Sequence, residues 1–313
     1  MKHPTCPHCH SRKTVKNGWP RWLCQKCWKT FRRRRTDTRD RTAIDAYTKD
    51  RSTYRRLGVR WGVSHTTAIR RVQRALKRRD SLLMRTKRLL PLCDGICLLD
   101  GKHIRIQGKL HMLFVAWDRG LGQPLYFQLK EGGEKELWYW KLLTDLKHVG
   151  YVPKGFVSDG ILTLKEFLAE QYPDLPHQRC TVHVFLAARG KIGGGGKTTE
   201  RTDELVELIR RILWSKTLRQ AKQRLRKVWG LYQLTRKERR ALEFIWEALS
   251  ECFVCRDPRW RYLKLPRSSN AIENVMGQIE VRLKTRRGTK SHASAELLIN
   301  ELLFQVKPQV INQ

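Results

Sequence analysis

Four cysteines within the first 27 residues constrain this chain more than any other feature. Cys6-Pro7-His8-Cys9 and Cys24-Gln25-Lys26-Cys27 are two CxxC pairs separated by 14 residues. Each pair turns the backbone so that two thiolates converge, and two such knuckles complete a tetrahedral four-sulfur site for Zn²⁺. Asn17-Gly18 between them is a hairpin signal. A segment of about 35 residues buries too little to fold alone, so metal binding supplies its folding energy. The expectation is a zinc ribbon over residues 1–36 with structural Zn²⁺ on Cys6, Cys9, Cys24 and Cys27, and with His3, His8 and His10 as bystanders. The chain has nine cysteines, an odd number, and Met1 to Cys6 lacks the apolar core of a secretory signal. Both features point to a reducing compartment, and the expected location is the cytoplasm.

Charge decides the partner. Among 313 residues, 65 Lys/Arg face 29 Asp/Glu, a formal net charge of +36. Such an excess calls for a polyanion and excludes an ordinary metabolic enzyme. Residues 1–90 hold 27 of the cations and only 5 of the acids, so the counterion-releasing surface is concentrated there. Arg32 to Arg35 form a basic linker. No apolar run approaches membrane-spanning length.

Residues 37–90 read as a small all-helical unit. Asp40 to Lys49 is a short amphipathic helix. Leu57, Val59 and Trp61 are expected to pack inward, Gly62 to make a turn, and Ser64 to cap a second helix from His65 to about Lys77. Ala68, Ile69, Val72 and Leu76 would be its buried stripe, with Thr66, Thr67, Arg70, Arg71, Arg74 and Lys77 outward. Helix, glycine turn and basic capped helix resemble a DNA-binding helix-turn-helix. Thr66, Thr67, Arg70, Arg71 and Arg74 are its candidate DNA contacts, and the alternative is a helical hairpin with a solvated basic face.

Residues 91–313 alternate strands and helices. Ile96–Ile106, Met112–Trp117 and Leu125–Leu129 are expected strands with short links, an antiparallel meander. A helix over Glu134–His148, a strand from Gly155 into Asp159, a helix over Leu162–Gln171 and a strand from Gln178 to Val184 follow. From Ala187 to about Tyr262 the pattern is helical and basic, and a last helix runs over 269–283. Two strand aspartates and a late helical glutamate offer hard oxygen ligands suited to Mg²⁺ or Mn²⁺. Two such ions activate an attacking oxygen and stabilise a leaving one in phosphodiester displacement.

The blocks Leu99-Asp100-Gly101-Lys102-His103, Val157-Ser158-Asp159-Gly160, Gln178-Arg179-Cys180-Thr181-Val182-His183 and Ser269-Asn270-Ala271-Ile272-Glu273-Asn274 occur in an order that resembles the Mutator-like transposases, in particular their bacterial insertion-sequence branch. The resemblance spans roughly 95–305. It implies an α/β, RNase H-like mixed sheet of strand order 3-2-1-4-5 with a helical insertion at about 186–265. It also implies that Asp100, Asp159 and Glu273 are a metal-binding catalytic triad for two Mg²⁺ or Mn²⁺ ions, and that Cys180 and His183 match an accessory CxxH motif. The implied partner is double-stranded DNA, both element ends and target, gripped by a homodimer or larger assembly. The implied activity is cleavage at terminal inverted repeats and joining of the freed ends to target.

Each residue has a structural alternative. Asp100-Gly101 and Asp159-Gly160 could be strand-end turns, and Asn270 to Glu273 is itself a capping box. Asp94, Asp118 and Glu280 are the nearest alternative acids. Arg282, Lys284, Arg286 and Arg287 are candidate phosphate contacts or else a solvated helix end favoured by the macrodipole. Cys252-Phe253-Val254-Cys255 is a third CxxC, expected in the core of a helix. The alternative is a second zinc site, with Cys93 and Cys97 or shared with Cys180 and His183, which otherwise read as a buried structural pair or an active-site contact. Gly190 to Thr198 has the wrong spacing for a phosphate-binding loop, so it reads as a flexible loop and no ATP use is expected. The rival functions are a catalytically inactive DNA-binding regulator derived from a transposase, an RNase H-type nuclease, and an RNA-binding scaffold.

Overall fold

The computed structural model describes residues 5–9, 11–18, 21–32, 38–50, 52–133, 135–193, 199–231, 233–284 and 291–308. They fall into two compact units, Met1–Arg78 and Arg79–Gln313. The division precedes the residue-90 boundary read from the sequence, because the helix after Ser81 packs with the second unit.

In the first unit β1 (Thr14–Lys16), β2 (Arg21–Cys24) and β3 (Thr30–Arg32) form an antiparallel sheet in that order. Arg33 to Arg35 of the basic linker lie outside the described residues, as do His3 and His10. Three helices follow, α1 (Thr38–Thr48), α2 (Tyr54–Arg60) and α3 (His65–Lys77). Ser64 Oγ accepts the Thr67 N–H at 3.2 Å and caps α3, and Gly62 turns the chain with φ +61°. Ala68, Val72, Ala75 and Leu76 are the buried stripe of α3, and Ile69 is half-buried at its edge. Val59 corrects the expectation: it is 87% exposed whereas Leu57 is fully buried. Residues two apart on a helix lie about 200° around the axis, so a spacing of two cannot share one face.

The second unit begins with α4 (Leu82–Leu89), then β4 (Ile96–Ile106), β5 (Lys109–Asp118), β6 (Gln123–Glu131), α5 (Glu136–His148), β7 (Gly155–Ser158), α6 (Leu162–Gln171) and β8 (His177–Arg179). Sheet order is β6-β5-β4-β7-β8. The first three strands are antiparallel, β7 runs parallel to β4, and β8 runs parallel to β7. Third, second, first, fourth, fifth is the order the resemblance implied. Gln107 and Gly108, both at positive φ, close the tight β4–β5 hairpin.

Alternation along the strands sends residues to two faces. Cys97, Leu99, Met112, Phe114 and Phe156 face one way and bury against Tyr139, Leu142 and Leu146 of α5 and Leu164, Phe167 and Leu168 of α6. Each such side chain contributes about 1.5–3 kcal/mol on burial. Leu98, Asp100 and Val157 therefore face the other way, where α11 (Asn270–Lys284) packs against β4. The chain between them forms α7 (Thr181–Gly193), α8 (Glu200–Leu213), α9 (Leu218–Leu231) and α10 (Arg236–Cys252) around a core of their own, including Val184, Ile209, Leu225, Ile245 and Cys252. α12 (His292–Phe304) closes the unit, with Arg79 holding both oxygens of buried Glu301 at 3.1 Å and Arg85 of α4 donating to the Phe304 carbonyl at 2.7 Å.

Two expectations change. The strand expected over 178–184 ends at Arg179, and Thr181 opens α7. The Cys180 N–H still reaches the Ser158 carbonyl at 2.6 Å, but the Cys180 carbonyl then accepts the Val184 N–H, so the chain coils there. The glycines at 190 and 193 lie inside α7 and not in a loop; residues 194–198 lie outside the described residues.

Gln178 ties the helical part to the sheet. Fully buried, it donates to the Cys252 carbonyl at 2.8 Å and accepts the Cys255 N–H at 2.8 Å. Gln178→Ala leaves both backbone groups buried and unsatisfied, so it is expected to lower unfolding stability by about 2–4 kcal/mol. Urea unfolding with far-UV circular dichroism reads this directly, and an unchanged midpoint would refute it.

Candidate functional site

Strand register builds the site. Leu98 pairs with Val157 across the parallel β4–β7 ladder, and Val157 and Ser158 pair with Gln178 and Arg179 across β7–β8. Two residues beyond Leu98 is Asp100, two beyond Val157 is Asp159, and two beyond Gln178 is Cys180. The three therefore occupy one row across adjacent strands, about 4.8 Å from strand to strand, on the face opposite α5 and α6. Glu273 lies in the first turn of α11, the helix that packs on β4. His183 lies in the first turn of α7, one turn beyond Cys180.

The electrostatics show that these groups act on one another. By distance, among the described residues, Glu273 gathers within 4.8 Å with Cys180 and His183, and the three carboxylates do not form such a group. The Asp100 carboxyl is pushed up to about 7, chiefly by burial, and the neighbouring charges of Asp159 and Glu273 push the same way while His183 opposes them. Asp159 is also raised, again by burial first, with His183 and Arg179 pulling it back. The His183 imidazole is held up at about 9 by the Cys180 thiol and by Asp100 and Glu273. Cys180 is lowered despite its burial, because the His183 side chain and the backbone N–H groups of His183 and Ser269 face its sulfur. His183 Nε2 stands 3.5 Å from Glu273 Oε1. That oxygen and His183 Nδ1 are buried with no hydrogen-bond partner among the described residues.

The alternative acids behave differently. Asp118 accepts from the N–H groups of Asp94, Gly95 and Leu121 and from the Tyr151 hydroxyl. Asp94 is held by Arg119, and Glu280 by Lys102 at 2.7 Å. Each is engaged in holding the fold. Asp100 and Asp159 each accept only local backbone N–H groups, from Gly101 and Ile161. The turn alternative is thus partly realised at Asp159. The capping-box alternative for Glu273 is not, since α11 begins at Asn270, which makes Ser269 the N-cap and puts Glu273 one position past N3. Its Oε1 takes no hydrogen bond among the described residues.

Arg179 was quoted within a motif but given no role by sequence reasoning. It pairs with Glu251 at 3.1 Å, stacks over Phe244 at 5.3 Å and lies against Gly160, where a Cβ would collide with its side chain. Gly160 also has φ +80°. Arg179 thereby stands beside Asp159. Its partners come from α10, more than 60 residues away in sequence, and no local signal announces them.

At the other end of the chain the four N-terminal thiols converge. Cys6 Sγ is 3.6 Å from Cys27 Sγ, Cys9 Sγ is 3.5 Å from Cys24 Sγ, and all four lie within 4.8 Å of one another. Tetrahedral ligands at about 2.3 Å from zinc lie about 3.8 Å apart, so this cluster can hold a metal ion. Thr66, Arg70, Arg71 and Arg74 are exposed on α3, whereas Thr67 is half-buried and bonded to the Ser64 cap. Arg282 corrects the expectation of a phosphate contact: it is 3% exposed, turned into the interior by its place on the buried side of α11 beside Leu283. Lys284 ends α11, and Arg286 and Arg287 lie outside the described residues. Cys252 and Cys255 are buried, Cys252 within the core of α7–α10.

An α/β unit with buried Asp100 on β4, half-buried Asp159 just past β7, and half-buried Glu273 on the helix beside them, is the class these observations define. The chain belongs to the Mutator family of transposases, whose profile matches residues 114–312. No curated protein sequence matches it. Among solved structures it is similar to the strand transfer complex of the Drosophila P element transposase, at 14% identity over 85% of this chain and 78% of that one, TM-score 0.33. It is also similar to the Mos1 strand transfer complex, at 13% identity over 74% and 78%, TM-score 0.23. Superpositions of this quality add nothing to the family assignment, which stands on the sequence match. No described helix is long and apolar enough to cross a membrane.

Proposed function

We propose that the chain is a DNA transposase with an RNase H-like catalytic unit, which cleaves the ends of an insertion sequence and joins them to target DNA by two-metal phosphodiester transfer. The observation that carries the reading is the register that brings Asp100 and Asp159 to neighbouring strand positions with Glu273 beside them, the charges of Asp159 and Glu273 both acting on the buried Asp100 carboxyl. Like charges packed this way call for a cation, and an all-oxygen donor set suits Mg²⁺ or Mn²⁺. The unpartnered Glu273 oxygen fits the same demand. When bound, a pair of such ions activates the attacking oxygen, water or a 3′-OH, and stabilises the leaving one.

The protein's own groups prepare that chemistry. Asp100 lies within β4 and Asp159 directly follows β7 on the neighbouring strand, which limits their separation before substrate arrives. Arg179 braces the turn at Gly160 and so orients Asp159. His183, its imidazole held up at about 9, faces Glu273 Oε1 at 3.5 Å.

DNA capture is assigned to the first unit. The four-cysteine cluster is read as a zinc ribbon and α2–α3 as a helix-turn-helix, with Arg70, Arg71 and Arg74 on its outer face. Together they would bind terminal inverted repeats, and two ends call for a dimer or larger assembly. Replacing the three arginines by alanine is expected to weaken DNA binding and to flatten the plot of log affinity against log salt by about 0.9 per lost phosphate contact. Fluorescence anisotropy across a salt series measures it, and an unchanged slope would exclude this surface.

The decisive assay offers the full-length protein, with Mg²⁺, a duplex carrying the repeat sequence, an unrelated duplex and an RNA–DNA hybrid. Strand cleavage and joining on the first alone is expected. Binding without cleavage would instead identify an inactive regulator, cleavage of the hybrid an RNase H-type nuclease, and binding without preference for the repeat a scaffold.

A further inference from the structure

The CxxH residues are left with no chemistry of their own by the transposition reading, yet their geometry is that of a ligand set. Cys180 precedes α7 and His183 follows one turn later, so sulfur and imidazole lie on the same side of that turn. Glu273 approaches from α11. The sulfur, an imidazole nitrogen and a carboxylate oxygen all lie within 4.8 Å of one another, and the His183–Glu273 approach is 3.5 Å. Nitrogen and oxygen ligands at about 2.0–2.1 Å from one tetrahedral zinc ion lie about 3.3 Å apart. The side chains of His183 and Glu273 are 30% and 34% exposed, whereas Cys180 is buried, so the trio opens to solvent on one side only. Among the described residues it and the N-terminal four-cysteine cluster are the groups with this convergence of ligand atoms.

We propose that Cys180, His183 and Glu273 form a second metal site, selective for Zn²⁺ and similar borderline-soft ions, with its fourth position open. A thiolate and an imidazole favour such ions strongly over Mg²⁺. This site is separate in ligand chemistry from the carboxylate row, and Glu273 is common to both. Zinc held here withdraws Glu273 from Asp100 and Asp159, so the two kinds of occupancy exclude one another. The inference concerns ligation alone and stands whether or not the chain cleaves DNA.

The test uses the full-length protein, equilibrated with zinc and passed through gel filtration before metal analysis. Wild type is expected to retain one more zinc per chain than Cys180→Ser or His183→Gln. Cobalt(II) added to zinc-loaded protein whose second site has been emptied by mild chelation is expected to give a charge-transfer band with the intensity of a single cobalt–thiolate bond. That band should be absent in Cys180→Ser and weakened in Glu273→Gln. Equal zinc content in wild type and both variants, or a cobalt–thiolate band that survives Cys180→Ser, would overturn the proposal. If Cys180→Ser fails to fold, His183→Gln decides by itself: retention of the extra zinc refutes the site and loss of it supports the site.

Discussion

Asp159→Asn is expected to bind end-containing DNA as wild type does and to cleave it about 10³-fold more slowly or worse. The amide keeps the shape of the side chain and its bond from the Ile161 N–H, so the β7 turn persists. What it removes is one negative charge from the row, and with it a ligand for the ions that offset charge developing on the phosphate. Such stabilisation amounts to several kcal/mol, about one decade in rate per 1.4 kcal/mol. Asp118→Asn is the control, since that carboxyl is surrounded by four donors of its own fold. It is expected to lower the melting temperature while cleavage per folded molecule stays near wild type. Single-turnover cleavage with anisotropy on the same samples separates the two. If Asp159→Asn cleaves within tenfold of wild type, Asp159 is not part of the catalytic row.

How much of this could be read before folding follows from how local each signal was. The meander, the strand into Asp159, the helix over 162–171 and the convergence of four cysteines depend on alternation and turn residues within a few positions, and the structure has all of them. The α4 helix over Leu82–Leu89 was not anticipated, although it carries a local signal, the Ser81 cap on the Met84 N–H. Its packing with the second unit is tertiary: Arg85 and Thr86 bond carbonyls at Pro124, Phe304 and Leu125. Val59 was misplaced by applying a strand-like spacing of two to a helix. The strand expected through His183 failed because its apolar alternation is equally compatible with the first turn of a buried helix. At the site, Asp100, Asp159 and Glu273 were legible only through the ordered motif blocks; as acids among 29 they carried no distinguishing spacing. Arg282 reads as a surface cation from sequence and is buried, and the bracing by Arg179 and Gln178 needs partners on α10 that no local pattern supplies.

Crowding of the carboxylates also dictates how stability responds to pH in metal-free protein. Asp100 has a folded-state pKa of about 7 against 3.8 unfolded, and Asp159 is shifted in the same direction. The folded protein therefore binds more protons than the unfolded chain between those values, and stability falls as pH rises through that window. For Asp100 alone the loss amounts to about 4 kcal/mol, at about 1.4 kcal/mol for each pH unit. In the Cys180–His183 pair the raised imidazole lowers stability as pH rises from 6.5 towards 9, and the lowered thiol opposes it. His177, held down at about 4 by burial, acts in the opposite sense to Asp100 below pH 6.5, so the Asp100 contribution is read as a difference. Between pH 4.5 and pH 7.5 in chelator, wild type is expected to lose stability relative to Asp100→Asn, and Asp100→Asn is expected to exceed wild type at pH 7.5. Divalent ions favour the ionised carboxyls, so Mg²⁺ is expected to raise the melting temperature strongly at pH 7.5 and barely at pH 5, with proton release on binding. Melting curves across pH, with and without Mg²⁺, measure each arm. A Mg²⁺ effect of equal size at both pH values, or one that persists in Asp100→Asn, would place the ion somewhere other than this row.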